Sequence, residues 1–316
     1  MGKDDPRPEA EPNAGLLATP FPALNDPEGN RVPAGLPPII DAHVHLFPDP
    51  LFRGIWDWFG QHGWPIRYQR PARELASFLL DRGVEQVVLL PYAHRPGVAR
   101  DLNRFVASVC GTDRRMVGLA TVLPGEPDAR AILDEAFGLG LRGVKLHCHV
   151  QCFAPDAPSV EPVYEACAAR GLPVVIHAGR EPKSPAYRCD PHEICSAERV
   201  ERVLRNFPEL SLCVPHLGYD ELDGYEALLT RYDNLWLDTS VALARYLSDA
   251  LPDRLLRARP ERVLYGSDFP NIPYAWDREL KHITELDLDE TTLRALLADS
   301  ARTLFGLDTL TATDDT

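Results

Sequence analysis

The sequence predicts an α/β chain whose strand and helix units close into a (β/α)8 barrel, a TIM barrel, with a Pro-rich N-terminal arm and an aromatic-rich insertion after the first strand. Three observations carry this expectation. Short runs rich in Val, Ile and Leu alternate with amphipathic stretches along most of the chain. The runs are continuously apolar, as strands buried on both faces are, and alternation with helices implies parallel pairing. Eight such units fit in roughly 270 residues, the size of a barrel of this kind.

Taken in order, residues 1–38 hold Pro6, Pro8, Pro12, Pro20, Pro22, Pro27, Pro33, Pro37 and Pro38, a composition that cannot form a helix or a central strand. They read as a loose arm or an extended segment crossing a neighbouring surface. The apolar runs then fall at 39–43, 86–91, 116–122, 143–147, 173–177, 211–216, 235–239 and 263–268. Helical stretches lie between them at 73–82, 128–139, 160–170, 197–206 and 222–232. The barrel domain is expected over 39–307, followed by a polar tail at 308–316. A doubly wound sheet is the competing fold, but no G-x-G-x-x-G follows a strand. Between the first strand and its helix, residues 48–71 carry Phe52, Trp56, Trp58, Phe59, Trp64 and Tyr68, which suit either a binding wall or a satellite hydrophobic cluster.

Composition narrows the partners. Lys and Arg number 33 against 47 Asp and Glu, a formal charge of −14, which disfavours nucleic acid and anionic membranes. A small-molecule substrate is expected, and the arm could wrap a second copy in a homodimer. No apolar stretch of about 18 residues and no apolar leader core is present, so a cytoplasmic location is expected. The seven cysteines then read as reduced thiols. Neither Cys148 with Cys152 nor Cys189 with Cys195 has the two-residue gap of a zinc knuckle.

Chemistry concentrates at the strand ends. His43 and His45 close the first run as H-x-H, His177 the fifth, His216 the sixth and Asp268 the eighth. Residues i and i+2 of a strand share a face, and side chains at the C-terminal ends of barrel strands converge on one site. Any one of these residues has an ordinary explanation as a hydrogen-bonding or capping group. Their joint placement at four strand ends does not, and imidazoles with a carboxylate suit zinc or another divalent first-row metal.

The segments Ile40-Asp41-Ala42-His43-Val44-His45-Leu46-Phe47-Pro48, Gly143-Val144-Lys145-Leu146-His147, Pro173-Val174-Val175-Ile176-His177-Ala178-Gly179, His216-Leu217-Gly218 and Tyr265-Gly266-Ser267-Asp268-Phe269-Pro270 resemble the amidohydrolase superfamily, specifically its amidohydrolase-related (family 2) branch of metal-dependent TIM-barrel hydrolases. That resemblance spans about 39–307. It implies His43, His45, His177 and Asp268 as metal ligands and His216 as the sixth-strand histidine beside the ion. A divalent ion lowers the pKa of a bound water from about 15.7 toward about 7. Asp268 then suits the role of proton acceptor, and His216 can orient the water or stabilise the developing oxyanion.

Lys145 sits on the fourth strand, where some binuclear relatives carry a carboxylated lysine. If carboxylated, it could hold a second ion with His177 and His216; otherwise it is an ammonium facing substrate or Asp268. One ion is preferred over two, zinc first, with manganese and iron as alternatives. The fifth loop offers Arg180 as a grip for a substrate carboxylate. His147 and Trp56 are further candidate substrate contacts, and His147 and His149 could equally sit behind the ligands.

The resulting expectation is a metal-dependent hydrolase of a small amide, ester or lactone bearing a carboxylate. A metal-dependent decarboxylase of an aromatic or unsaturated acid is the alternative, since the resemblance covers both. A retained scaffold without turnover is a third class, but no member of the catalytic set is missing.

Overall fold

The structure, a computed structural model, describes residues 23–247 and 252–310. Eight strands are present among them: β1 (Ile40–Val44), β2 (Gln86–Leu89), β3 (Met116–Gly118), β4 (Val144–His147), β5 (Val174–His177), β6 (Leu212–Val214), β7 (Leu235–Asp238) and β8 (Val263–Leu264). Every residue of these strands is buried, the polar Asp41, His43, Gln86, Lys145, His147, His177 and Asp238 among them. All recorded strand pairs are parallel, in one sheet ordered β1-β2-β3 and another ordered β4-β5-β6-β7-β8. His147 stands directly opposite His177 in the β4–β5 register.

Regular pairing therefore runs over three and five strands rather than around a closed ring of eight. At the seam between β3 and β4 a single bridge joins Ala120 to Val144. Hydrogen bonds flank it, from Ala120 N–H to Gly143 O at 2.8 Å and from Lys145 N–H to Ala120 O at 2.7 Å. At the other seam Val44 bridges to Phe269, beyond the end of β8. The register of β1 shifts between Asp41 and Val44, a bulge that breaks the ladder where His43 lies.

Two apolar groups fill the molecule. Ile40, Ala42, Val88, Leu90, Val117, Leu119, Val175, Cys213, Trp236 and Leu264 pack together with Ala298, Ala301, Leu304 and Phe305 from the C-terminal helical segment. The larger group, between strands and helices, takes alternate residues such as Ile39, Val44, Val87 and Leu89. The polar residues that matter sit farther along the same strands, toward their C-terminal ends.

Three expectations change. His216 and Asp268 do not close strands. Pro215 cannot donate to a ladder, and His216 opens a short turn, His216–Gly218, with φ 59°, while Asp268 lies past β8 with φ 61°. The segment after β1 is largely the helix Asp49–His62, on which Phe52 is buried and stacked on Trp56. Trp58 of this helix stacks on Tyr187 of the loop after β5. Of the N-terminal segment, residues 1–22 lie outside the described residues. Residues 23–32 lie against the rest of the chain, with Trp276 Nε1–H donating to Gly29 O and Arg278 to Asp26.

The loop after β7 is held by a buried acid. Val241, at φ 65°, donates its N–H to Glu279 Oε1 at 2.8 Å, and Glu279 Oε2 has no hydrogen-bond partner among the described residues. Burial pushes the Glu279 carboxyl well above the ordinary carboxylate range. The folded chain thus keeps this proton where the unfolded chain has lost it, so stability falls as pH rises above about 4.5, by up to about 1.4 kcal/mol per pH unit. Glu279→Gln removes that slope, and melting curves at pH 5 and pH 8 should show the variant gaining on the parent at the higher pH. An unchanged gap would refute the assignment.

Candidate active site

His43 and His45 leave β1 with their rings edge to face, centroids 5.0 Å apart. The Nδ1–H of His43 donates to Asp238 Oδ2 at 2.8 Å, and that of His45 to Leu90 O at 2.7 Å. A neutral imidazole carries one N–H, so each ring presents its Nε2 lone pair on the opposite side. Both lone pairs meet Asp268 Oδ1, at 3.4 Å from His43 and 3.1 Å from His45. His43, His45 and Asp268 thus offer three acceptor atoms within 4.8 Å of one another. Burial lowers His43 to about 3, so that ring is neutral at ordinary pH. Burial opposes ionisation of Asp268, yet the imidazoles of His45 and His43 beside it hold its carboxyl below the usual carboxylate range. Convergent buried acceptors are what a divalent cation requires, so these residues fit one.

Lys145 approaches from β4, fully buried, with Nζ 3.4 Å from His43 Nε2. Burial lowers its ammonium to about 8, against the pull of Asp238 and Asp268. His216 donates Nδ1–H to Ser240 O at 2.7 Å and turns Nε2 toward His177 Nδ1 at 3.2 Å. His177, from the end of β5, also has Nε2 3.3 Å from Glu181 Oε2, and Glu181 Oε1 meets His149 Nδ1 at 2.5 Å. His147 stacks flat on His177, centroids 4.1 Å apart, and meets Tyr92 edge to face.

The Nε of Arg180, in the loop after β5, lies 3.1 Å from Asp220 and 3.3 Å from Glu221. Lys183 is likewise paired with Asp190. Among the described residues no ion pair is recorded for Arg95 or Arg188, whose charges both bear on His94 in the loop after β2. Trp56 is packed on Phe52 rather than against the imidazoles.

Sequence reasoning missed Asp238, Glu181 and Ser240. Asp238 was findable, since it closes the apolar run of β7 just as the histidines close theirs. It accepts from His43 Nδ1–H, from Ser240 Oγ–H at 2.5 Å and from the backbone N–H groups of Ser240 at 3.1 Å and His216 at 3.2 Å. Gly266 is required by closeness, because a Cβ there would lie 2.6 Å from His43 Cβ.

The chain matches the amidohydrolase family model (family 2) over residues 40–307. It belongs to the amidohydrolase family. Solved structures share its fold. An uncharacterized TIM-barrel protein from Bordetella bronchiseptica is 19% identical, with a TM-score of 0.65, covering 85% of this chain and 99% of that one. A candidate 2-pyrone-4,6-dicarboxylic acid hydrolase from Pseudomonas putida is 21% identical, with a TM-score of 0.60 and coverage of 85% and 97%. The 5-carboxyvanillate decarboxylase of Novosphingobium aromaticivorans, solved with manganese and 4-hydroxy-3-methoxy-5-nitrobenzoic acid, is 18% identical, with a TM-score of 0.63 and coverage of 89% and 100%. No curated protein matches in sequence. Both hydrolases and decarboxylases thus occur among proteins of this architecture, and no helix among the described residues is long and apolar enough to cross a membrane.

Asp238→Asn replaces an acceptor of four hydrogen bonds and loosens the hold on His43 Nδ1–H. Affinity for a divalent ion should fall 10- to 100-fold, roughly the range for losing a partner behind a ligand. Competition titration against a chromogenic chelator measures it; unchanged affinity would count against Asp238 as the group that orients His43.

Proposed function

We propose that this amidohydrolase is a metal-dependent hydrolase of a small carboxylate-bearing molecule, acting at the C-terminal mouth of a barrel formed by its eight strands. One observation carries the reading: the Nε2 atoms of His43 and His45 and the carboxylate of Asp268 converge as acceptors while both Nδ1–H groups are committed elsewhere. These three side chains, with His177 from the end of β5 as the fourth, would hold the ion, zinc by ligand preference, with manganese and iron served by the same donors. When bound, such an ion acidifies water and polarises the oxygen of an amide, ester or lactone carbonyl.

The chain supplies the rest. Asp268, ionised at ordinary pH, accepts the proton of the attacking water and passes it to the leaving group. His216 is oriented by Ser240 O, which takes its Nδ1–H and leaves Nε2 on the side of His177, 3.2 Å from its Nδ1. The buried ammonium of Lys145 stabilises negative charge that develops on the attacked group. Arg180 would attract a substrate carboxylate, with Arg95 and Arg188, whose charges bear on His94 in the loop after β2, as further cations.

Decarboxylation is the second reading, favoured by the aromatic wall of Trp58 stacked on Tyr187 and of Phe47 against Tyr92. That wall suits a planar aromatic acid. In that chemistry Asp268 would serve as the group that returns a proton to carbon.

Two measurements decide. Metal-loaded protein incubated with 2-pyrone-4,6-dicarboxylate, simple lactones and 5-carboxyvanillate should release new acid without CO₂, followed by base uptake and by isotope-ratio gas analysis. CO₂ release without ring or ester opening would overturn hydrolysis in favour of the second reading. Asp268→Asn should lower kcat by roughly 10²- to 10⁴-fold, the span of general acid–base catalysis, with circular dichroism unchanged. Retention of full activity would remove Asp268 from the proposed chemistry.

A further inference from the structure

Four cysteines are neighbours in sequence as Cys148 with Cys152 and Cys189 with Cys195, but the fold pairs them crosswise. Cys148 begins the short helix after β4, Cys148–Gln151, and Cys152 caps its C-terminus. Cys189 and Cys195 flank the short helix Pro191–Ile194 in the chain after β5, and the two helices lie against each other. Cys148 and Cys195 are buried and in hydrogen-bond contact, whereas Cys152 is exposed and Cys189 half-buried.

The outer pair converges on one atom. The thiol of Cys152 donates to His149 O at 3.5 Å, and that of Cys189 donates to the same oxygen at 3.3 Å. His149 is itself fixed, with Nδ1 2.5 Å from Glu181 Oε1 and Nε2 3.0 Å from Gly179 O. Cys189 also makes a hydrogen bond with Cys152; burial first, and then that bond, push its thiol up to about 12. Cys189 therefore keeps its proton while Cys152 faces solvent. The backbone of Cys152 has φ 55°, in the left-handed region that glycine or asparagine usually fills at a helix end. A cysteine persists there only because its surroundings enforce it. Among the described residues no set of three ligand atoms within 4.8 Å includes either sulfur, so this is a pair of thiols and not a metal clip.

We propose that Cys152 and Cys189 form an oxidisable dithiol, a site of reversible modification by hydroperoxides that closes to a disulfide. The sulfur of Cys152, as its thiolate, attacks one oxygen of hydrogen peroxide. The O–O bond breaks, the sulfur is oxidised to a sulfenic acid, and the departing hydroxide takes up a proton to become water. The sulfur of Cys189 then attacks the sulfenic sulfur, the S–O bond breaks, and a second water leaves with the Cys189 proton. Two thiols and one peroxide thus give one disulfide and two waters, and a small dithiol reverses the change by exchange. The new bond fastens the chain after β5, which carries Glu181 beside His177 and Tyr187 stacked on Trp58, to the end of the helix after β4. Oxidation would tie down one wall of the mouth.

This inference does not rest on the proposed hydrolysis, because every readout is on sulfur. The full chain is treated with hydrogen peroxide, its remaining thiols are blocked with N-ethylmaleimide, and it is digested without reduction and mapped by mass spectrometry. Two of the seven thiols should become unreactive, with one cross-link between the peptides holding Cys152 and Cys189, and dithiothreitol should return both. Cys152→Ser should lose the cross-link. Cys189→Ser should lose it too and leave on Cys152 a sulfenic acid that dimedone traps. The map of the parent chain decides by itself if either variant does not fold. Seven thiols intact after peroxide, a cross-link between Cys148 and Cys195 in place of the expected one, or Cys152 carried on to sulfinic acid with Cys189 still free would each overturn the dithiol. So would Cys152→Ser that forms an internal cross-link at the parent's rate.

Discussion

A single buried carboxylate at the end of β7 organises the polar centre of this molecule. Asp238 accepts the Nδ1–H of His43, the hydroxyl of Ser240 and the backbone N–H of His216, and so ties β1, the turn after β6 and the loop after β7 to one point. Burial alone would push its carboxyl up, but the hydrogen bonds from His43 and Ser240 and the charge environment hold it far below the ordinary range. The negative charge is thus retained deep in the protein because donors from three elements are aimed at it. Remove that charge and there is nothing to decide which nitrogen of His43 faces the cleft.

Around this point the backbone is bent in ways that a regular ladder would not permit. His216, Leu217, Tyr219, Val241 and Asp268 all have positive φ, and all lie in the segments just beyond β6, β7 and β8. Positive φ in residues other than glycine is uncommon and persists only where the surroundings enforce it. Here Glu279 takes the N–H of Val241, and His43 O takes the N–H of Asp268. The consequence is directional: the chain turns inward where the strands end, and the imidazole of His216 and the carboxylate of Asp268 are carried over the mouth. Beneath them, the apolar residues Ile40, Val88, Val175 and Leu264 close the interior to water.

Much of this was legible in the residue pattern. Strands buried on both faces must read as unbroken apolar runs, and those runs located all eight. The H-x-H of β1 was readable because β-strand alternation places i and i+2 together, even though a bulge interrupts the pairing there. Asp268 was found by its position after an apolar run, although it sits on a turn rather than on a strand. The ion pairs of Arg180 were not legible, because a guanidinium on a loop has no periodicity to say which carboxylate it will meet, and Asp220 and Glu221 belong to another loop. The helix at Asp49–His62 was overlooked because its many aromatics, which favour strands or clusters, outweighed the weaker helical spacing.

The sequence by itself determined the architecture, the order in which ligand-type residues appear and the family to which they belong, since these follow from burial pattern and from residue identity at strand ends. Only the tertiary structure decided which nitrogen of each ring is free, which carboxylates Arg180 meets, and that Glu181 lies beside His149 and His177. The reason is that an imidazole's tautomer is set by whatever accepts from its other nitrogen. For His43 that partner is Asp238, 195 residues away, and no local pattern of residues encodes a contact over that separation.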